Sequence, residues 1–279
     1  MRYVITHAAF APERRESLVR MRERLPRQGD AVTVLRSDVR EHPAQWAQRL
    51  WQWVAWQDEP VVCLEDDVIL PDGFHEMCEA VLRASGGKAC VSLHLQAPGT
   101  VDVQFQRWCR SYWLSTVACI MTPDDARSLV EYSCALPWNV LARMNHDNIA
   151  IWWAWERQQP FLATIPGLCK HNSAIPSTFG YDKHPNRVPH VGLWAQEGMR
   201  PTDPDWWGAV PGCPPHVNNP WAQPHVLESI RRALQGGGLC LACACRPARV
   251  GTQTGMRLCA QCLHTMAGAA MGLVLGGEV

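Results

Sequence analysis

The amino-acid sequence predicts an α/β domain, with a mainly parallel sheet flanked by helices, over residues 1–180. Short apolar runs of strand length alternate with helical patterns up to about residue 170, and this alternation is typical of that class. A hydrophobic content of 47% against 19% charged residues indicates that the chain buries a substantial core. One apolar run, residues 61–64, leads directly into three acidic residues, which makes the end of that strand a candidate site.

The predicted elements follow from apolar spacing and from turn residues. Pro43 begins a helix in which Trp46, Leu50 and Trp53 recur at helical spacing and form one apolar face. A Pro-Asp-Gly turn at residues 71–73 precedes another helix. On these grounds we predict strands at residues 3–6, 31–35, 61–64, 89–95, 113–122 and 161–165, and helices at residues 12–25, 43–56, 74–84, 145–158 and from 123 onward.

The composition of the chain changes after residue 180. Residues 181–235 contain many prolines, which interrupt long helices and strands. The same segment contains four tryptophans, and a free linker would contain fewer, so we predict that it packs against the first domain. A run of three glycines then starts a third predicted module, residues 236–279.

Cysteine spacing in the third module predicts a zinc ribbon. Cys240 and Cys243 form one C-x₂-C pair, Cys259 and Cys262 form a second, and 15 residues separate the pairs. Two such pairs supply the four thiolates of a tetrahedral, structural Zn²⁺ site. A redox pair or chance clustering is the alternative. Because so short a module has almost no core, the metal would supply its folding energy.

The acidic strand end predicts a site for a hard divalent cation. In extended backbone Glu65 and Asp67 point to one side and Asp66 to the other. Two carboxylates on one side suit Mg²⁺ or Mn²⁺ shared with phosphate oxygens. The alternative interpretation is a solvated strand end that is paired with arginines.

The motif from Leu64 to Phe74, L-E-D-D-x₆-F, resembles the D-x-D-like motif of the GT-A class of nucleotide-sugar glycosyltransferases. It is similar to the form in lipopolysaccharide and procollagen galactosyltransferase-like families and in N-acetylglucosaminyltransferase-like enzymes. Further segments resemble that class in the same order: residues 3–5 with Arg14-Arg15, residues 113–122 with 125–126, residues 145–148 and residues 166–171.

The resemblance implies a GT-A (Rossmann-like) fold and metal-dependent transfer of a sugar from a nucleotide-sugar, UDP-linked, to an acceptor hydroxyl. It implies that Asp67 is the main ligand of Mn²⁺ or Mg²⁺, that His171 is a second ligand, and that Asp147 is the catalytic base. The residues that it assigns to the nucleotide-sugar are Thr6, Arg14, Glu65 and Asp66.

Other interpretations of these residues stay open. Asp147 could be a helix N-terminal residue that the helix dipole favours, and His171 could be a hydrogen-bonded polar residue without a metal. His7 and His94 also lie at predicted strand ends, and no role is assigned to them.

Charge and chain termini limit the partners that we expect. A formal net charge of zero excludes binding of a strongly anionic partner by bulk charge alone. The N-terminus has no signal-peptide apolar region, and no apolar stretch is long enough to span a membrane, so we expect a cytoplasmic protein. The 13 cysteines would then be mostly thiols or metal ligands.

The acceptor has two candidates, a glycan or lipid-linked sugar, or a hydroxymethylated base in phage-like DNA. A non-enzymatic function is the alternative to both. In that case a glycosyltransferase-like scaffold without activity would carry the zinc ribbon as an adaptor for nucleic acid or protein.

Overall fold

The computed structural model describes residues 1–26, 31–94, 107–111, 114–136, 141, 146–165, 167–172, 174–176, 178, 200–210, 250–251 and 257–258. The four cysteines of the predicted zinc site, Cys240, Cys243, Cys259 and Cys262, lie outside these residues. Of the predicted packing segment 181–235, only residues 200–210 are described.

The chain forms two compact units, and the first, residues 1–175 and 186–216, is α/β as predicted. Its strands are β1 (Arg2–Ala8), β2 (Val32–Ser37), β3 (Val61–Glu65), β4 (Val68–Ile69), β5 (Val91–Ser92), β6 (Trp108–Ser111), β7 (Ala118–Met121), β8 (Phe161–Thr164) and β9 (Lys170–His171). The helices described in this unit are α1 (Arg14–Arg24), α2 (Pro43–Ala55), α3 (Phe74–Ala84), α4 (Pro123–Ala135), α5 (His146–Glu156) and α6 (Pro204–Trp207).

Seven of these strands form one sheet in the order β2-β1-β3-β7-β5-β8-β6. Strands β2, β1 and β3 are parallel, and β5 and β8 run in the same direction as these three. Strands β7 and β6 run in the opposite direction. The sheet is therefore mixed, with most of its strands running in one direction. Apolar periodicity does not encode the direction of the two reversed strands.

Side-chain alternation gives the sheet two buried faces. Tyr3, Ile5, Val62 and Leu64 belong to a core cluster on one face that includes residues of α1 and α3. The intervening residues of β1 and β3 are also buried, so the opposite face is covered as well. Helices α2, α4 and α5 contact one another. Burial on both faces explains why these strands have continuous apolar sequences.

Helix α6 joins this core through its last residue. Trp207 is 1% exposed, and its indole N–H donates to the carbonyl of Pro201 at 2.9 Å. The Trp108 indole N–H donates to the Trp207 carbonyl at 3.0 Å, and the two rings lie 5.2 Å apart. Residues 200–210 thus pack against the α/β unit. Strand β6, which contains Trp108, was not predicted from the sequence.

The stretch that contains Glu65, Asp66 and Asp67 is not one continuous strand. Strand β3 ends at Glu65, a turn follows at residues 66–67, and β4 then pairs antiparallel with β9. Val68 lies opposite His171 in this pairing. The second apolar run, which the sequence only marked as apolar, therefore brings a distant histidine to the acidic residues.

The second unit comprises residues 176–185 and 217–279. Its described regular structure is an antiparallel pair, β10 (Val250–Gly251) and β11 (Arg257–Leu258). In sequence this pair lies between the two C-x₂-C pairs. Within the part of the chain that the structure describes, no helix has the length and apolar character needed to cross a membrane.

Candidate functional site

The candidate site lies at the carboxyl end of β3, beside the end of the neighbouring parallel strand β1. The register places Thr6 of β1 opposite Glu65 of β3, so His7 and Asp66 follow at the same edge of the sheet. Ligand sites in α/β sheets occur at this edge, where loops leave the strands in the same direction.

Three side chains converge there in a geometry that could hold a cation. One ligand atom each from Glu65, Asp67 and His171 lies within 4.8 Å of the others. The Nε2 atom of His171 is 3.0 Å from Oδ2 of Asp67, and the backbone N–H of Asn172 donates to the Asp67 carbonyl at 2.7 Å. Two carboxylates and one imidazole form a donor set that suits a divalent cation such as Mn²⁺.

Arg14 contacts both aspartates of the site. Its guanidinium donates through one nitrogen to Asp66 and through the other to Asp67, the latter at 2.7 Å. Arg14 is 5% exposed and each aspartate is 1% exposed. Burial by itself would lower the pKa of Arg14, but Asp67 and Asp66 outweigh it and raise that pKa. The contact is therefore a buried, charge-assisted bridge.

Both carboxylate oxygens of Asp66 accept hydrogen bonds from the protein. Arg14 holds Oδ1, while Nδ1 of His7 and the backbone N–H of Ala8 hold Oδ2 at 2.7 and 2.9 Å. Burial raises the pKa of Asp66, with the Arg14 charge acting against it. Asp66 and Arg14 thus contact each other at the end of β3, and their assignment to the nucleotide stays a prediction.

Thr6 is likewise buried and hydrogen-bonded within the protein. Its hydroxyl donates to the carbonyl of Leu64 at 3.2 Å, and the residue is 5% exposed. The hydroxyl thus links β1 to β3 immediately before the acidic residues. Of the four residues that the resemblance assigned to the nucleotide-sugar, Glu65 alone has a side chain that is as much as 26% exposed.

A second polar group joins Glu65 to Asp147, which lies in the first turn of α5. The Thr116 hydroxyl is 3.1 Å from Oε1 of Glu65 and 2.9 Å from Oδ1 of Asp147. A hydroxyl has one proton, so it donates to one carboxylate at a time. The Nε2 atom of His146 is 3.4 Å from Glu65 and 3.9 Å from Asp147.

The pKa values of Asp147 and Glu65 shift in opposite directions. Burial raises the pKa of Asp147, and the charge of Glu65 raises it further against the opposing effects of His146 and Thr116. Burial also acts to raise the pKa of Glu65, but the hydrogen bond and charge of His146 outweigh it and lower that pKa. Burial would lower the pKa of His146, yet Asp147 and Glu65 raise it to about 8.

His94 lies deeper, after strand β5. It is 0% exposed, and its Nδ1 atom is 3.2 Å from the hydroxyl of Ser115. Its Nε2 atom has no hydrogen-bond partner among the residues that the structure describes. Burial, and secondarily the charge of His171, lower the pKa of His94 to about 4, so the ring is neutral at pH 7.

The structure thus brings together Glu65, Asp67, Asp147 and His171, which the sequence analysis had singled out. Thr116 and His146 lie within segments that resemble the glycosyltransferase class, but no role was assigned to either from the sequence, because each contacts Glu65 only in the folded chain. A signal did exist for His7 and His94, since both lie at the ends of predicted strands, but their partners come from distant segments.

No family model matches this chain, and no curated protein with a similar sequence is found.

Proposed function

We propose that the protein is a metal-dependent glycosyltransferase of the GT-A type, which transfers a sugar from a nucleotide-sugar to an acceptor hydroxyl. The observation that carries the proposal is the convergence of Glu65, Asp67 and His171 at the carboxyl end of β3. Asp147 lies beside this group and is joined to it through Thr116.

The chain's own residues are suited to hold a divalent cation between Glu65, Asp67 and His171. Arg14 orients Asp67, and the β4–β9 pairing orients His171. Such support by neighbouring groups is typical of metal sites. When bound there, Mn²⁺ or Mg²⁺ would neutralise the negative charge that develops on a diphosphate leaving group.

The opposite pKa shifts of the two carboxyl groups support a division of roles. Glu65, with its lowered pKa, stays ionised and suits the cation. Asp147, with its raised pKa, is the more basic group, and its side chain is 28% exposed, so an acceptor can reach it. Asp147 is therefore the base that takes the proton of the acceptor hydroxyl.

The substrates follow from the same proposal. The donor is a sugar linked to a nucleoside diphosphate, with UDP as the leading candidate. The acceptor is a glycan or a hydroxymethylated DNA base. Because the net charge is zero, DNA would have to be recognised by a local surface.

A thermal-shift screen tests the site and the donor together. The purified full chain is heated with a panel of nucleotide-sugars, with and without MnCl₂, and compared with Asp67→Asn. The wild type is expected to gain several degrees in Tm with one donor only when Mn²⁺ is present, because ligands stabilise the state that binds them. In Asp67→Asn this Mn²⁺-dependent gain should be absent.

The gain in Tm is the difference between the same variant with and without ligand. A lower Tm of ligand-free Asp67→Asn therefore does not affect the comparison. Lys88→Asn serves as the matched control, because Lys88 is exposed and lies before β5, whereas the site lies at the carboxyl ends of the strands, and it should keep the full gain. If no nucleotide-sugar stabilises the wild type in Mn²⁺ while its zinc content is normal, the proposal is overturned and the adaptor hypothesis is favoured.

A further inference from the structure

His94 is a buried histidine that the proposed function leaves unused. The ring is 0% exposed, and Nε2 has no hydrogen-bond partner in the described part of the chain. A buried polar atom without a partner is costly, and in folded proteins it calls for an explanation such as a bound ligand or water.

The sheet brings His94 to the same end as the cation group. Ser92 of β5 lies opposite Cys119 of β7, which lies opposite Cys63 of β3. His94 is two residues beyond Ser92, and Glu65 is two residues beyond Cys63. Because β3 and β5 run in the same direction, both residues follow at one edge of the sheet.

Electrostatics also connect the ring to the site. The charges of His171, Glu65 and Asp67 all act on His94. Its Nε2 atom does not belong to the group of ligand atoms within 4.8 Å of one another, so His94 lies outside the set that would contact the cation directly. His94 therefore lies at the same edge of the sheet as the cation group without belonging to it.

The hydrogen bonds around His94 accommodate a ring that has its proton on Nε2. The Ser92 hydroxyl donates to the carbonyl of His94 and accepts from the backbone N–H of Ser115. The Ser115 hydroxyl lies 3.2 Å from Nδ1 of His94 and can donate to it. A neutral ring that accepts at Nδ1 has its single proton on Nε2, the atom without a partner.

We propose that the Nε2–H group of His94 donates a hydrogen bond to a phosphate oxygen of the nucleoside diphosphate that Glu65, Asp67 and His171 hold through the cation. His94 is then a substrate-binding residue that neither the acidic motif nor the cation group includes. This inference rests on the proposed function, because that function supplies the diphosphate.

Calorimetry of the full chain tests the inference without using activity. The protein is titrated first with MnCl₂ and then, in saturating MnCl₂, with UDP, GDP, ADP, CDP and dTDP. Two variants form a matched pair: His94→Gln keeps an N–H donor at a similar reach, and His94→Leu has similar bulk but no donor.

We expect His94→Leu to bind the preferred diphosphate at least about tenfold more weakly, since a hydrogen bond to a charged group is lost. His94→Gln should recover most of that loss. The Kd for Mn²⁺ alone should stay within about twofold in both variants, because His94 does not contact the ion. A merely structural role would not produce a loss confined to the diphosphate.

The outcomes separate the two proposals. If the wild type binds neither Mn²⁺ nor any diphosphate, the proposed function fails and this inference fails with it. If the wild type binds and His94→Leu binds equally tightly, the inference alone is overturned. Should His94→Leu not fold, Ser115→Ala replaces it: weaker diphosphate binding with an unchanged Mn²⁺ Kd supports the inference, and unchanged binding contradicts it.

Discussion

At the scale of single residues, the two buried aspartates depend on Arg14. Asp66 and Asp67 are each 1% exposed, and two carboxylates side by side would repel one another without a cation between them. Arg14 supplies that cation through two nitrogens, and His7 adds a hydrogen bond to Asp66. Asp67 therefore has a cationic partner within the protein even before any divalent cation is present.

This arrangement predicts a large loss of stability when Arg14 is replaced. Arg14→Met removes one member of a buried ion pair and leaves two buried carboxylates without the charge of Arg14, so the free energy of unfolding should fall by about 3–5 kcal/mol. Arg15→Met is the control, because the neighbouring Arg15 is exposed and should change stability by about 0.5 kcal/mol at most. Urea denaturation measures both, and equal effects would contradict the buried bridge.

The neutral state of His94 predicts a pH dependence with a definite sign. The unfolded chain takes up a proton on this histidine below about pH 6.5, whereas the buried ring does so only below about pH 4. The contribution of His94 to the free energy of unfolding is therefore complete above about pH 6.5 and decreases as the pH falls toward 4, by roughly 1.4 kcal/mol for each pH unit.

The measurement is denaturant unfolding of the wild type and of His94→Gln at several pH values between 4 and 8. Subtracting one curve from the other removes the titration of all shared groups. The wild type should lose stability relative to His94→Gln only on the acid side of the range. A difference that is flat with pH would mean that the ring is not held neutral.

At the scale of elements, a short strand pair and a short helix complete the unit. The pairing of β4 with β9 lies at the site and brings His171 to Asp67 across about one hundred residues of sequence. Helix α6 lies in the core and inserts Trp207 against Trp108. Both contacts join segments that are far apart in sequence, so loop closure makes them unfavourable until the rest of the sheet has formed.

Helix α6 gives the third prediction. Trp207→Ala removes a side chain that is 1% exposed and leaves a cavity, so the free energy of unfolding should fall by about 3–5 kcal/mol. Trp56→Ala is the matched control, because Trp56 is 87% exposed and has little packing to lose. A thermal or urea transition of Trp207→Ala that matches the wild type would show that residues 200–210 do not stabilise the α/β unit.

At the scale of the whole molecule, the chain divides into an α/β unit with the candidate active site and a second unit that contains the cysteine pairs. The two predicted metals have different donors: oxygen and imidazole for the first unit, and thiolate for the second. Thiolate ligands select Zn²⁺, whereas carboxylates suit Mn²⁺ and Mg²⁺, so loss of the thiolates should leave the first site able to bind Mn²⁺.

The fourth prediction concerns this separation. The full chain should contain about one zinc ion that survives desalting, and Cys259→Ser should lower that content well below one, because a complete tetrahedron needs four ligands. Cys134→Ser is the control, since Cys134 is an exposed free cysteine of α4. Plasma mass spectrometry counts the zinc.

Calorimetry with MnCl₂ on the same preparations completes this test. Cys259→Ser should keep the Mn²⁺ affinity of the wild type, because the ligands of the two metals come from different units. Loss of Mn²⁺ binding together with zinc would contradict the assignment of the two metals to separate sites.

The α/β class, most strand and helix positions, and the acidic motif could be read from the sequence, because each depends on local apolar spacing or on adjacent residues. Glu65 and Asp67 could also be paired on one side, since strand alternation is a local rule. Resemblance to a family, rather than spacing, brought Asp147 and His171 into the prediction.

Only the tertiary structure determined which contacts the residues at the end of β3 make. The directions of β6 and β7, the pairing of β4 with β9 and the burial of Arg14 all depend on contacts between distant segments, which local patterns do not encode. The same contacts turned Asp66 and Arg14 toward each other, joined Glu65 to Asp147 through Thr116, and left Nε2 of His94 without a partner in the described chain. Sequence placed the charges at one strand end, and packing determined which of them are buried and paired with one another.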